Sequence, residues 1–184
     1  NGRVRLSGQL PLIRRARVSS RQSVDSIAVS LDLKLVGHGE GGKSVAMLGV
    51  GVAHITACPC TQAYNQTLFG KEGEDCPLPT HSQRSQTTLS LQSTELTPSI
   101  AELLACLEAA LHVTQDLLKR TDEAQLVYTS HSQPQFAEDA VREVAQQAGE
   151  RFGKVLPPET VVVIESLSLE SIHIHDVCCR LETT

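Results

Sequence analysis

The spacing of apolar residues changes twice along this chain, and that change limits the folds it can adopt. Residues 3–13 and 26–36 alternate apolar with polar side chains, which places Ile27, Val29 and Leu31 on one face of the second segment. Such alternation is typical of half-buried β-strands. Further strands are predicted over residues 44–56, 85–93, 160–169 and 175–182.

In the middle of the chain the apolar spacing lengthens to three or four residues, which predicts helices over 98–119 and 137–152. Thr97 and Pro98 fit a helix start, with a capping hydroxyl followed by proline at the first position. The glycine-rich segment 37–42 fits a turn between antiparallel strands. Strands, two helices and strands again predict an α+β domain, with both helices on one face of an antiparallel sheet.

Composition excludes several classes of protein. The chain has 184 residues, enough for one domain, with 3% aromatic residues and no Trp, so its core must be aliphatic. A net charge of −5 argues against nonspecific nucleic-acid binding. No apolar run is long enough to span a membrane, and no secretory leader is visible. The first residue, Asn1, is not an initiator Met, which suggests that upstream sequence is missing.

The six cysteines favour a reduced protein over a disulfide scaffold. Cys58 and Cys60 are too close in sequence for an easy bridge, Cys178 and Cys179 are adjacent, and Cys106 lies on the apolar face of a predicted helix. Disulfides are rare in the cytoplasm. We therefore expect a cytoplasmic location.

Side chains that commonly bind metal ions occur at several points along the chain. They are Cys58, Cys60, His81, Glu170 and His173. One thiolate, one carboxylate and two imidazoles can hold a divalent ion and leave a position open for water, as in catalytic sites. A structural zinc module would use closely spaced CxxC pairs, which are absent from the sequence. The set therefore predicts metal-assisted hydrolysis.

Five short motifs resemble those of the type IB GTP cyclohydrolases and their archaeal relatives in methanopterin synthesis, and the resemblance as a whole covers roughly residues 10 to 178. The motifs are residues 57–62 (Ala-Cys-Pro-Cys-Thr-Gln), 79–85 (Pro-Thr-His-Ser-Gln-Arg-Ser), 120–123 (Arg-Thr-Asp-Glu), 135–139 (Gln-Phe-Ala-Glu-Asp) and 170–176 (Glu-Ser-Ile-His-Ile-His-Asp). The resemblance implies one tunnelling-fold domain over 1–184, lacking an N-terminal half that family members have. It also implies assembly into barrels and homo-oligomers, either dimers or tetramers, with sites between subunits.

The resemblance further implies an enzyme that hydrolyses GTP. The guanine imidazole ring would open with release of formate, giving 7,8-dihydroneopterin triphosphate or its 2′,3′-cyclic phosphate for pterin, folate or methanopterin synthesis. The implied metal is Fe(II), Mn(II) or Zn(II), and mixed sulfur, nitrogen and oxygen ligands suit all three. Two alternatives remain: a hydrolase of a modified guanine nucleotide on the same fold, or a noncatalytic nucleotide-binding oligomer.

Residue roles follow from the same resemblance. The implied metal ligands are Cys58, Cys60, His81, Glu123, Glu170 and His173, although the sequence does not decide which cysteine binds the metal. The implied catalytic residues are Cys58, Cys60, His81 and Glu123. Glu138 would bind the guanine edge, and Gln83 and Arg84 the ribose or triphosphate. Each residue also has a structural alternative: Glu138 is a favourable acid at a helix start, and Arg84 suits an ion pair.

Overall fold

Six antiparallel strands follow one another across a single sheet in the residues that the structure describes. The computed structural model describes residues 1–37, 43–70, 76–94 and 98–184. The strands are β1 (Gly2–Arg15), β2 (Gln22–Val36), β3 (Lys43–Ala57), β4 (Ser82–Ser93), β5 (Val161–Ser168) and β6 (Val177–Thr183). Each strand pairs with its neighbours in chain order, so β1 and β6 are the two outermost strands.

Four helices accompany the sheet within the same residues: α1 (Pro59–Phe69), α2 (Ile100–Ala110), α3 (Arg120–Ser132) and α4 (Ala137–Phe152). A capping box starts α2, since the Ser99 hydroxyl accepts from the Glu102 amide and the Glu102 carboxylate accepts from the Ser99 amide. Helices α2 and α4 contact each other and the central strands. Their apolar stripes, including Leu103, Leu107 and Val144, are fully buried. These stripes and the sheet face beneath them form the aliphatic core.

The architecture corrects the predicted fold. The class is α+β, but the prediction of a tunnelling fold with two helices on one face, closing into barrels, is wrong. The described residues form one open six-stranded sheet with four helices. Helices α1 and α3 were not predicted, because neither presents the apolar stripe on which the prediction depended: α1 has no fully buried residue, and the buried residues of α3 are polar.

The predicted helix over 98–119 is also too long, because it ends at Ala110. The segment after it pairs with β3 instead. The Ile55 amide donates to the His112 carbonyl at 3.0 Å, and the Thr114 amide donates to the Ala53 carbonyl at 2.8 Å. These bonds satisfy backbone groups of β3 beyond Gly51, where its pairing with β2 ends.

Two predicted features fall partly beyond the described residues. Residues 38–42 of the glycine turn and Thr97 of the helix start lie outside them. None of the helices in the described ranges is long and apolar enough to cross a membrane.

Candidate active site

Three strand ends meet at one edge of the sheet, and the loops that leave them carry most of the predicted site residues. Strand β3 ends at Ala57, whose partner Ser82 begins β4. Strand β5 ends at Ser168, which pairs with Ser85. Antiparallel pairing therefore brings chain segments that are more than a hundred residues apart to the same place.

Cys58 and His81 are held together by their backbones. The Cys58 amide donates to the His81 carbonyl at 3.1 Å, and the Thr80 hydroxyl donates to the Cys58 carbonyl at 2.8 Å. The two cysteines of the motif differ in environment. Cys58 is buried and caps α1, where its Sγ accepts from the Thr61 amide at 3.4 Å, whereas Cys60 is exposed in the first helical turn.

A chain of hydrogen bonds connects His81 to Glu170. His81 Nδ1 lies 3.2 Å from Gln83 Oε1, and Gln83 Nε2 donates to Glu170 Oε1 at 3.1 Å. The Ser168 hydroxyl donates to the same carboxylate oxygen at 2.8 Å. The predicted metal ligands His81 and Glu170 therefore lie on either side of Gln83.

The predicted ligand pair Glu170 and His173 required a bend, because residues three apart in an extended strand point to opposite faces. That bend is present: β5 ends at Ser168, residues 171–175 are bent, and the Glu170 amide donates to Asp176 Oδ1 at 3.1 Å. The bend brings the His173 ring to 5.7 Å from the His81 ring, edge to face. His175 stacks on His173 at 5.6 Å between ring centroids.

The side chains of the remaining predicted residues, Glu123, Glu138 and Arg84, make no hydrogen bond or ring contact with this cluster within the described residues. Glu123 is exposed on α3, 3.7 Å from Arg120, and faces an open hollow that it shares with Pro79. Glu138 is exposed in the first turn of α4. Burial raises the pKa of the Cys179 thiol, and the negative charge of Glu138 is the second cause of that rise. Arg84 is exposed on the opposite sheet face from Gln83, because neighbouring strand residues alternate.

The donor types fit a divalent transition-metal ion better than Mg²⁺ or Ca²⁺, since thiol and imidazole groups accompany the carboxylate. Their positions are not those of a preformed site. Within the described ranges, no three His, Cys, Asp or Glu side chains are placed to bind one ion. Metal binding here would therefore require side-chain rotation.

Sequence analysis missed the hydroxyl groups beneath the cluster. Thr56, Ser85 and Ser168 are almost fully buried on the helix-covered face of β3, β4 and β5. Thr56 Oγ1 lies 2.8 Å from Ser85 Oγ and 3.4 Å from Ser168 Oγ. The sequence signal that could have identified them is a serine or threonine at an inward strand position, where an apolar residue is expected.

Comparison with known proteins identifies the family to which this chain belongs. Residues 1–179 match the family model described as type I GTP cyclohydrolase folE2, and the chain belongs to that family.

Among individual proteins, the chain is similar to those named GTP cyclohydrolase MptA. It is 33% identical to the protein from Thermoplasma acidophilum over 74% of this chain, and 36% identical to that from Methanocaldococcus jannaschii over 71%. It is 30% identical to MptA 1 of Methanocella arvoryzae over 96% of this chain. The chain spans 50%, 46% and 60% of the lengths of these three relatives, in that order.

Proposed function

We propose that the protein is a cytoplasmic, metal-dependent GTP cyclohydrolase of type IB. It opens the imidazole ring of GTP, releases formate, and yields 7,8-dihydroneopterin triphosphate or its 2′,3′-cyclic phosphate for pterin or methanopterin synthesis. Membership of the folE2 family and similarity to proteins named GTP cyclohydrolase MptA support the substrate and the reaction class.

One observation supports the assignment of particular residues to the site. The ends of β3, β4 and β5 bring Cys58, His81 and Glu170 to one sheet edge, through the Cys58–His81 backbone bond and the Gln83 bridge. A thiol, an imidazole and a carboxylate are donor types that open hydrolytic metal sites use, which supports the proposal of a metal site here. His173 lies against His81 and adds a second imidazole.

In this proposal His81, Glu170, His173 and one of Cys58 and Cys60 hold Fe(II), Mn(II) or Zn(II). A divalent ion supplies Lewis acidity and activates water for hydrolysis. Cys58 is the better-placed thiol, because its backbone is bonded to His81, whereas Cys60 is exposed and available for proton transfer. Glu123 is proposed as a proton-transfer group or a further ligand. Either role requires its side chain to move toward the other ligands from the hollow that it lines.

Substrate recognition is assigned to Glu138 and Arg84. A carboxylate accepts two hydrogen bonds side by side, which matches the N1–H and 2-amino group of guanine. Glu138 is exposed at the start of α4, three residues after Gln135, whose carbonyl accepts from the Ala57 amide at 3.2 Å. The exposed guanidinium of Arg84 supplies positive charge for the triphosphate from the other sheet face.

We also propose that the chain forms a homo-oligomer, a dimer or a tetramer. The support is the apolar surface of the β1–β2 hairpin, where Val4, Leu6 and Leu35 are each about half exposed or more. Contiguous exposed apolar patches are a feature of protein–protein contact surfaces.

A product assay tests the reaction. Reduced protein is incubated with GTP and, in turn, Fe(II), Mn(II) and Zn(II), and the products are resolved by mass spectrometry. The expected result is formate with a dihydroneopterin species, whose mass distinguishes triphosphate from cyclic phosphate. The double variant Cys58→Ala, Cys60→Ala should give no product above background. Cys178→Ala is the matched control, because Cys178 is exposed on β6 and should leave activity unchanged.

One result would reject the assignment of GTP as substrate, and another would reject the role of the cysteines. Intact GTP with every metal, in protein shown to bind the metal, would exclude GTP as the substrate, and a panel of modified guanine nucleotides would then test the altered-substrate alternative. Equal product from the double variant and wild type would remove the thiols from the chemistry.

A further inference from the structure

Gln83 lies between two predicted metal ligands, although the family resemblance implies that it binds the ribose or triphosphate. Its side chain is half-buried, on the same sheet face as Ser85. The carbonyl oxygen is 3.2 Å from His81 Nδ1, and the amide nitrogen is 3.1 Å from Glu170 Oε1 and 3.4 Å from Ser168 Oγ. Both ends of the amide are therefore occupied by protein groups, which leaves little of it for a ligand.

The chemistry of these partners determines the direction of the amide. An ionised carboxylate only accepts hydrogen bonds, so the NH₂ end of Gln83 must face Glu170. The carbonyl end then faces His81, and a carbonyl also only accepts. His81 Nδ1 must therefore carry the proton that it donates to Gln83. In the neutral ring this leaves Nε2 unprotonated, with its lone pair directed away from Gln83.

The carboxylate is oriented in the same way. Both side-chain hydrogen bonds that Glu170 accepts within the described residues end on Oε1, one from Gln83 and one from Ser168. Ser168 is in turn held by the buried hydroxyls beneath it, since its Oγ lies 3.4 Å from Thr56 Oγ1. Oε1 is therefore fixed to the core, and Oε2 is left for another partner.

We propose that Gln83 is a positioning residue: it selects the Nδ1–H tautomer of His81 and orients Glu170, so that His81 Nε2 and Glu170 Oε2 are the atoms presented to a metal ion or to substrate. This inference rests on the proposed function for the roles of His81 and Glu170. The tautomer itself is a property of the protein and can be measured without GTP.

Long-range ¹⁵N–¹H NMR spectra of the histidine rings test the proposal, because the two neutral tautomers give different cross-peak patterns. Spectra are recorded above the ordinary histidine pKa, on protein as purified and after addition of diamagnetic Zn(II). The His81 signals are assigned by their loss in His81→Asn. Wild type should show Nδ1–H in both states. Gln83→Leu should shift the purified protein toward Nε2–H, whereas Gln83→Glu should retain Nδ1–H, because its carboxylate still accepts from the ring.

Gln86→Leu is the matched control, since Gln86 lies on the same strand but is exposed on the opposite face. It should leave the His81 pattern unchanged. An Nε2–H ring in wild type, or an Nδ1–H ring that persists in Gln83→Leu, would overturn the proposal.

Kinetics separate positioning from substrate binding. Loss of a group that orients a metal ligand commonly costs about 10–100-fold in activity or metal affinity. Gln83→Leu should therefore lower kcat by about that factor with little change in KM. A raised KM with unchanged kcat would overturn the positioning role in favour of ribose or phosphate binding. If wild type shows the Nδ1–H ring but no GTP turnover, the proposed function fails and the positioning role stands.

Discussion

His54 is a fully buried histidine whose ring has only one hydrogen-bonded nitrogen within the described residues. Its Nε2 lies 2.7 Å from Thr87 Oγ1, and the Thr87 hydroxyl donates to Ser166 at 2.8 Å, so Nε2 carries the proton. Nδ1 is buried without a partner. A proton on Nδ1 would place an unsolvated charge in the core, and burial accordingly lowers the pKa of His54 to about 4.

This burial predicts a pH-dependent stability. The unfolded chain takes up the proton near pH 6.5 and the folded chain only near pH 4. The unfolded state therefore binds more protons between these values, and the free energy of unfolding falls as the pH drops from about 6.5 to about 4. The loss is at most roughly 3 kcal/mol, with no pH dependence from this residue above that window.

Denaturant unfolding at a series of pH values measures this effect. His54→Gln should remove the extra acid sensitivity, whereas His175→Gln, an exposed control, should retain it. An unchanged pH profile in His54→Gln would assign the sensitivity to other groups.

At the residue scale, the ligand roles predicted for Cys58, Cys60, His81, Glu170 and His173 stay predictions. Hydrogen bonds bring Cys58, His81 and Glu170 to the same strand ends, and His173 packs against His81. Within the described residues, no three His, Cys, Asp or Glu side chains are placed to bind one ion. The residues that orient them were not predicted, because a serine or threonine within a strand has no distinctive pattern. Ser168 and Thr80 act through single hydrogen bonds that only the tertiary structure specifies.

At the element scale, the strands follow from their alternation, whereas the helices depend on context. Helix α1 begins at Pro59 with Cys58 as its cap, a residue that is not among the usual helix caps, and it buries none of its own residues. The leucines after Ala110 continue a helical spacing, yet the helix ends there, because residues 112–114 pair with β3, and Leu117 and Leu118 beyond them are exposed. Backbone pairing therefore overrides the apolar period in this segment.

The β1–β2 hairpin is the element expected to form the contact between copies of the chain. On β1, Leu6 is 61% exposed and pairs with Leu31. Leu6→Asp places a charge on this apolar surface and should reduce the particle mass measured by light scattering toward that of a single chain, because burying an unpaired carboxylate is costly.

Ser7→Asp is the matched control for that prediction. Ser7 is the next residue on the strand and lies on the opposite face, so the oligomer should persist. A wild-type protein that is already monomeric, or an unchanged mass in Leu6→Asp, would contradict assembly through this hairpin.

At the scale of the whole molecule, strand order determines where the site lies. The six strands are neighbours in chain order, so the loops after β3 and β5 and before β4 emerge at the same sheet edge. Sequence motifs identified the family but not this arrangement, since the number of helices and the open sheet depend on packing that motifs do not encode. The chain spans 46–60% of the lengths of the three relatives compared, and the GTP cyclohydrolase activity of the whole protein is therefore a proposal.

The most direct test of the account is formate release from GTP labelled with ¹³C at C8, followed by NMR in the presence of Fe(II). The account predicts labelled formate in step with loss of GTP for wild type, and none above background for His81→Asn, while His112→Asn, a histidine outside the site cluster, continues to release it. Loss of GTP without labelled formate, or equal release from wild type and His81→Asn, would contradict ring opening at the edge formed by β3, β4 and β5.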